Sequence, residues 1–128
     1  MIARVFIILV LFFPVFVYAD MLKRINVWRV DQGLPEVVYS ETLCGLADVR
    51  LSVIQDDFSH DGFYRLFSNT RGRWFENLAH EGRKIRGEGG VFKAWLNSPK
   101  HELLLHSDIR YGCVVNENGY WVFLGYTF

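Results

Sequence analysis

The order of elements in this chain predicts an α+β fold. Apolar residues recur at helical spacing after the leader, and the chain closes on an aromatic, strand-like hairpin. No regular strand–helix–strand alternation connects the two regions.

The chain opens on an export leader. Met1 to Arg4 carries one positive charge, and Val5 to Tyr18 contains no charged or amide side chain. Val17 and Ala19 stand at −3 and −1 of a cleavage site, which signal peptidase favours. The run is short beside the roughly 20 apolar residues of a membrane span. Pro14 weakens a spanning helix, and Lys23 and Arg24 lie on the wrong side for strong orientation by positive charge. Residues 1–19 therefore read as a signal peptide and 20–128 as one domain. An uncleaved N-terminal anchor is the alternative, and either form delivers the domain outside the cytoplasm: secreted, periplasmic or at the cell surface.

Composition narrows the function classes. Fourteen basic residues balance fourteen acidic ones, so nothing in the net charge suggests a nucleic-acid groove or a strongly basic membrane patch. Membrane contact is expected only through the leader, if it stays uncleaved. The hydrophobic fraction of 51 % is raised by that leader, and the domain after it is more ordinary. Its two cysteines, Cys44 and Cys113, form an even set in an exported protein, which favours pairing over two buried thiols. Neither a CxxC nor a Cys/His spacing for structural zinc occurs.

The elements follow in order. Leu22, Ile25 and Trp28 at three-residue spacing predict a first helix that ends before Gly33-Leu34-Pro35. Ser40 is an N-cap for the clearest helix, in which Leu43, Leu46, Ala47, Arg50, Leu51 and Ile54 form a stripe with Cys44 beside it. Phe58 to Gly62 reads as a turn, Phe63 to Phe67 as a short helical piece, and Ser68 to Arg73 as a loop. Trp74 to Ala79 is a short mixed segment, and Gly82 to Gly90 a glycine-rich, charged loop. A third main helix spans Val91 to Asn97, with Val91, Ala94 and Trp95 inward. Pro99 ends it, and His101 to Leu105 adds one or two turns. Tyr111 to Val115 and Tyr120 to Phe128 are strands joined by Asn118-Gly119, a strong type I′ signal.

Three ionisable residues stand in settings that could aim them into a cleft: His60 in a turn, Glu76 among apolar neighbours, and His101 after Pro99. Two imidazoles and a carboxylate suit a divalent metal such as zinc, and equally acid–base work near neutral pH. Other candidates carry less. His80 and Glu81 read as loop-exposed and His106 as surface. Ser59-His60-Asp61 holds triad residue types, but a triad is assembled in space rather than along the chain. Ser98 could approach His101, yet no nucleophile elbow surrounds it.

A longer series adds to these residues. Asn26, Arg29 and Gly33-Leu34-Pro35 are followed by Tyr39 to Leu43 with Ala47 and Arg50, then by Phe58 to Phe63. Glu76-Asn77-Leu78-Ala79, Ala94 to Pro99 with His101, Leu104-Leu105, Tyr111-Gly112 and the final aromatic strand continue the order. From Leu22 to Phe128 the series resembles the CAP superfamily (cysteine-rich secretory proteins, antigen 5, pathogenesis-related 1 proteins), most closely its short bacterial exported members.

The resemblance implies an α-β-α sandwich around a small central antiparallel sheet with a C-terminal hairpin. It implies a cleft lined by His60, Glu76 and His101, and a cation such as zinc held through His60 and His101. A helix-to-sheet disulfide between Cys44 and Cys113 fits the same arrangement. Departures are visible. Ser98 stands where eukaryotic members often carry a second Glu, and Phe75 and Lys100 replace glycines before Glu76 and His101. A lysine beside the site adds positive charge and weakens metal binding.

The leading expectation is a binding module for a small molecule, a lipid, a cell-envelope component or a divalent cation, with Ser98 in the cleft and Trp95 and Trp74 as walls. A hydrolase of peptides or envelope material would use Glu76 or a histidine as base and a metal-bound water as nucleophile. A structural domain would use the three residues only to hold one another.

Overall fold

The computed structural model describes residues 20–128; the leader and its cleavage site lie outside the described residues. The elements are α1 (Asp20–Asp31), β1 (Val38–Tyr39), α2 (Glu41–Asp56), α3 (Asp61–Phe67), β2 (Arg73–His80), α4 (Gly87–Asn97), α5 (Pro99–Leu105), β3 (Tyr111–Glu117) and β4 (Tyr120–Thr127).

Both faces of the strands are apolar, and this sets the layering. On one face Phe75, Ala79, Val114, Trp121 and Phe123 pack with Met21, Leu22 and Ile25 of α1, Val91 and Trp95 of α4, and Leu105 of α5. On the other, Leu78, Cys113, Val115, Val122 and Leu124 meet Leu43, Ala47, Leu51 and Ile54 of α2 and Phe63 and Phe67 of α3. Period-two alternation with apolar residues in both phases requires cover on both sides. The result is an α-β-α sandwich, with two cores separated by one sheet.

The sheet runs β1-β3-β4-β2. β3 and β4 form the expected hairpin, antiparallel from Tyr111↔Tyr126 to Glu117↔Tyr120. Asn118 and Gly119 have φ of 53° and 79°, the two positive values that a type I′ turn needs. β2 pairs antiparallel with β4 along its whole length. β1 adds a two-residue parallel contact, Val38↔Tyr111 and Tyr39↔Gly112, at the far edge. A strand that short leaves no periodic trace in a sequence.

Two segments differ from expectation. The mixed segment at Trp74–Ala79 is the edge strand β2. Glu76 and Asn77 interrupt its apolar pattern because they carry contacts to the helices on either side. The third main helix begins at Gly87, a turn before Val91. Three glycines make a poor first turn, but the Glu81 carboxylate accepts the Gly87 N–H and supplies the missing cap.

The polar residues Asn26 and Arg29 of α1 are clamps. Asn26 Oδ1 accepts from the Val37 N–H at 2.7 Å, and its Nδ2 donates to the Val37 carbonyl at 2.9 Å. The buried Arg29 donates through Nε to Pro35 O at 3.0 Å and through Nη1 to Leu105 O and Ser107 O at 2.7 and 2.8 Å. One guanidinium thus ties the Gly33–Pro35 turn to the end of α5. Burial works against its charge, and Asp108 nearby supports it. Across the sheet, Cys44 of α2 and Cys113 of β3 form a disulfide with Cα atoms 5.1 Å apart.

Candidate functional site

The site is built on β2, with one histidine supplied from each helical layer. Arg50 lies on the stripe of α2 that faces the sheet and is completely buried. Its Nε donates to Glu76 Oε2 at 2.6 Å and its Nη2 to Glu76 Oε1 at 2.9 Å. Nη2 also donates to the Ser59 carbonyl at 2.9 Å, which fixes the turn between α2 and α3. Nη1 is buried beside Gly62, and any side chain at that glycine would collide with it.

His60 ends this turn, immediately before α3. Its Nδ1 lies 2.9 Å from Glu76 Oε1, and its side chain is 43 % exposed against 1 % for Glu76. An ionised carboxylate only accepts, so His60 carries its proton on Nδ1. Ser59 and Asp61 do not extend this pair into a triad. The Ser59 hydroxyl accepts the Asp61 N–H at 3.3 Å instead.

His101 comes from the other layer. Pro99 opens α5, and the His101 Nδ1 meets Ser98 Oγ at 2.8 Å. Asn77 Nδ2 donates to the His101 carbonyl at 3.2 Å, and Trp95 Nε1 donates to Leu78 O at 2.9 Å. Both bonds hold the α4–α5 corner against β2. The His101 imidazole is pushed below the usual histidine range, first by burial and then by the charge of His60.

Sequence reasoning named His60, Glu76, His101 and Ser98, and the fold pairs His60 with Glu76 and His101 with Ser98. It placed Trp95 wrongly as a cleft wall. Trp95 is 1 % exposed and belongs to the core, where its ring fills space between α4 and the sheet. Trp74 is half-buried and stacks on Phe67 with ring centroids 4.0 Å apart. The role that went unrecognised was that of Arg50. Its signal was a charge at a stripe position, where only a paired guanidinium can be buried.

A resident zinc ion does not fit these residues. Both Glu76 oxygens face the Arg50 guanidinium, which leaves two imidazole nitrogens as donors. Among the described residues no group of three or more His, Cys, Asp or Glu side chains could hold a metal ion. Lys100, next to His101 in sequence, is exposed.

No family model matches the sequence, and no curated protein matches it. Solved structures do. A cysteine-rich secretory protein from Staphylococcus aureus superposes with a TM-score of 0.68 at 16 % identity, covering 85 % of this chain and 37 % of its own. An extracellular protein with an SCP domain from Bacillus anthracis gives 0.74 at 17 %, covering 87 % and 40 %. The chain has the CAP fold. An outer surface protein from Borrelia burgdorferi gives 0.66 at 20 %, covering 84 % of this chain and 89 % of its own. The present CAP-fold chain therefore spans well under half of the first two structures and matches the third over most of its length.

Proposed function

We propose that this is an extracytoplasmic binding domain whose cleft takes a small ligand between His60 and His101. The observation that carries the reading is the tethering of both imidazoles through Nδ1, to Glu76 and to Ser98. That arrangement leaves each Nε2 for a ligand. His60, protonated on Nδ1, offers an acceptor there when neutral. Glu76 is a positioning residue and not a base, because Arg50 and His60 occupy its oxygens.

Export is supported by the apolar stretch 5–18, by the Cys44–Cys113 disulfide, and by the similarity to an extracellular and an outer surface protein. Among the described residues no helix is long and apolar enough to cross a membrane.

The test is a histidine side-chain nitrogen NMR titration with three probes: zinc sulfate, N-acetylglucosamine oligomers and lysophosphatidylcholine. Binding is expected to shift the His60 and His101 Nε2 signals together, with neither shift surviving in His60→Gln or His101→Gln. Silence of both rings toward all three probes overturns the reading.

A further inference from the structure

The balanced charge of the chain conceals a local asymmetry. Five exposed cations, Lys23, Arg24, Arg83, Lys84 and Arg86, come from two segments far apart in sequence. The fold brings them together. Arg24 Nη2 lies 3.3 Å from Glu88 Oε2, joining the first turns of α1 to the start of α4, just after the basic loop 82–86. Ile85 is partly buried against the core cluster that includes Met21 and Leu22.

The loop is also held in place. Gly82 N–H donates to Ile85 O at 2.9 Å, and Glu81 N–H donates to Gly119 O at 2.7 Å. The Glu81 carboxylate accepts from the Trp121 indole at 2.9 Å and from the Gly87 N–H. Glu81 is engaged by these donors, Glu88 pairs with Arg24 at the surface, and exposed Asp31 lines the same groove as Lys23 and Arg24. The cations around them project to solvent. Residue 20, where the apolar stretch 5–18 joins the domain, opens the same helix that carries Lys23 and Arg24.

We propose that this end of the domain seats on an anionic phospholipid surface, with Lys23, Arg83, Lys84 and Arg86 meeting the headgroup phosphates. Clustered cations beside a membrane-directed segment gain from the negative surface potential, additively and within a Debye length. The proposal is independent of the ligand site proposed above for His60 and His101.

Vesicle co-flotation of protein produced from the full chain tests it, comparing phosphatidylcholine with phosphatidylcholine–phosphatidylglycerol. Binding should favour the anionic vesicles and decline with salt. Arg83→Ser/Lys84→Ser should weaken anionic binding about thirtyfold. Arg65→Ser/Arg71→Ser removes the same charge near the other end of β2 and should leave binding unchanged. Acylation footprinting supplies a second readout, decided at Lys84, which is far in sequence from the leader. Anionic vesicles should protect Lys23 and Lys84 but not Lys100, and neutral vesicles should protect none of the three. Equal loss in the two double variants would assign the effect to total charge and overturn the proposal. So would equal labelling of Lys84 on both vesicle types.

Discussion

Arg50 and Glu76 form a two-pronged ion pair between α2 and β2, with side chains only 0 % and 1 % exposed. Neither charge has water to fall back on. Removing one partner leaves the other buried and uncompensated, which typically costs about 3–5 kcal/mol. Arg50→Met and Glu76→Leu should each lower stability by roughly that amount. The double variant should recover much of the loss, because two apolar groups replace two charges. Urea unfolding midpoints of the four proteins measure this; additive losses would show that the two side chains do not act as a pair.

The depressed His101 has a defined pH signature. Its imidazole is below the ordinary value in the folded chain, so the unfolded chain binds more protons once pH falls below about 6.5. Stability is therefore expected to decline as pH falls from that point through the folded value. His101→Gln should flatten this part of the profile. In NMR titrations His60→Gln should raise the His101 value only part of the way, because burial is the larger cause.

Much of this architecture was legible because local chemistry and tertiary role agree. Ser40 caps α2 by accepting from the Leu43 N–H, and Asn118-Gly119 turns the hairpin. An imidazole in a turn is more often a structural residue, and His60 and His101 stood out only through the ordered motif series in which they lie. Illegible features were those settled by distant partners. β2 was obscured because Glu76 and Asn77 answer to Arg50 and to the His101 carbonyl, 26 and 24 residues away. The early start of α4 depends on Glu81, and no propensity reports that. Trp95 misled because an indole flanking a site can line it or support it from beneath, and only burial decides.

Glu81 links the hairpin to the start of α4, and its carboxyl is held below the ordinary range. The Trp121 hydrogen bond is the largest cause, followed by the Gly87 N–H; desolvation opposes them, and the charge of His80 adds the smallest lowering effect. A carboxyl depressed by folding stabilises above its unfolded value and loses that contribution as pH falls through the folded one. Glu81→Gln should thus lower the melting temperature at neutral pH, with the gap to wild type closing in acid. Trp121 emission should change in parallel. A constant gap at all pH values would mean that packing, and not the carboxylate, matters at this position.

The Cys44–Cys113 disulfide spans 69 residues, and it joins α2 to the middle of the sheet. On the chain-entropy account, closing a loop of this length restricts the unfolded chain by about 4 kcal/mol. Cys113 is fully buried in the core beneath α2, so its replacement should also be small and apolar. Cys44→Ala/Cys113→Ala should lower the unfolding free energy by roughly 2–4 kcal/mol while the fold survives. Dithiothreitol should destabilise wild type to a similar extent and leave the double variant untouched. If stabilisation came instead from packing of the sulfurs, reduction alone would cost little and the alanine pair would cost far more.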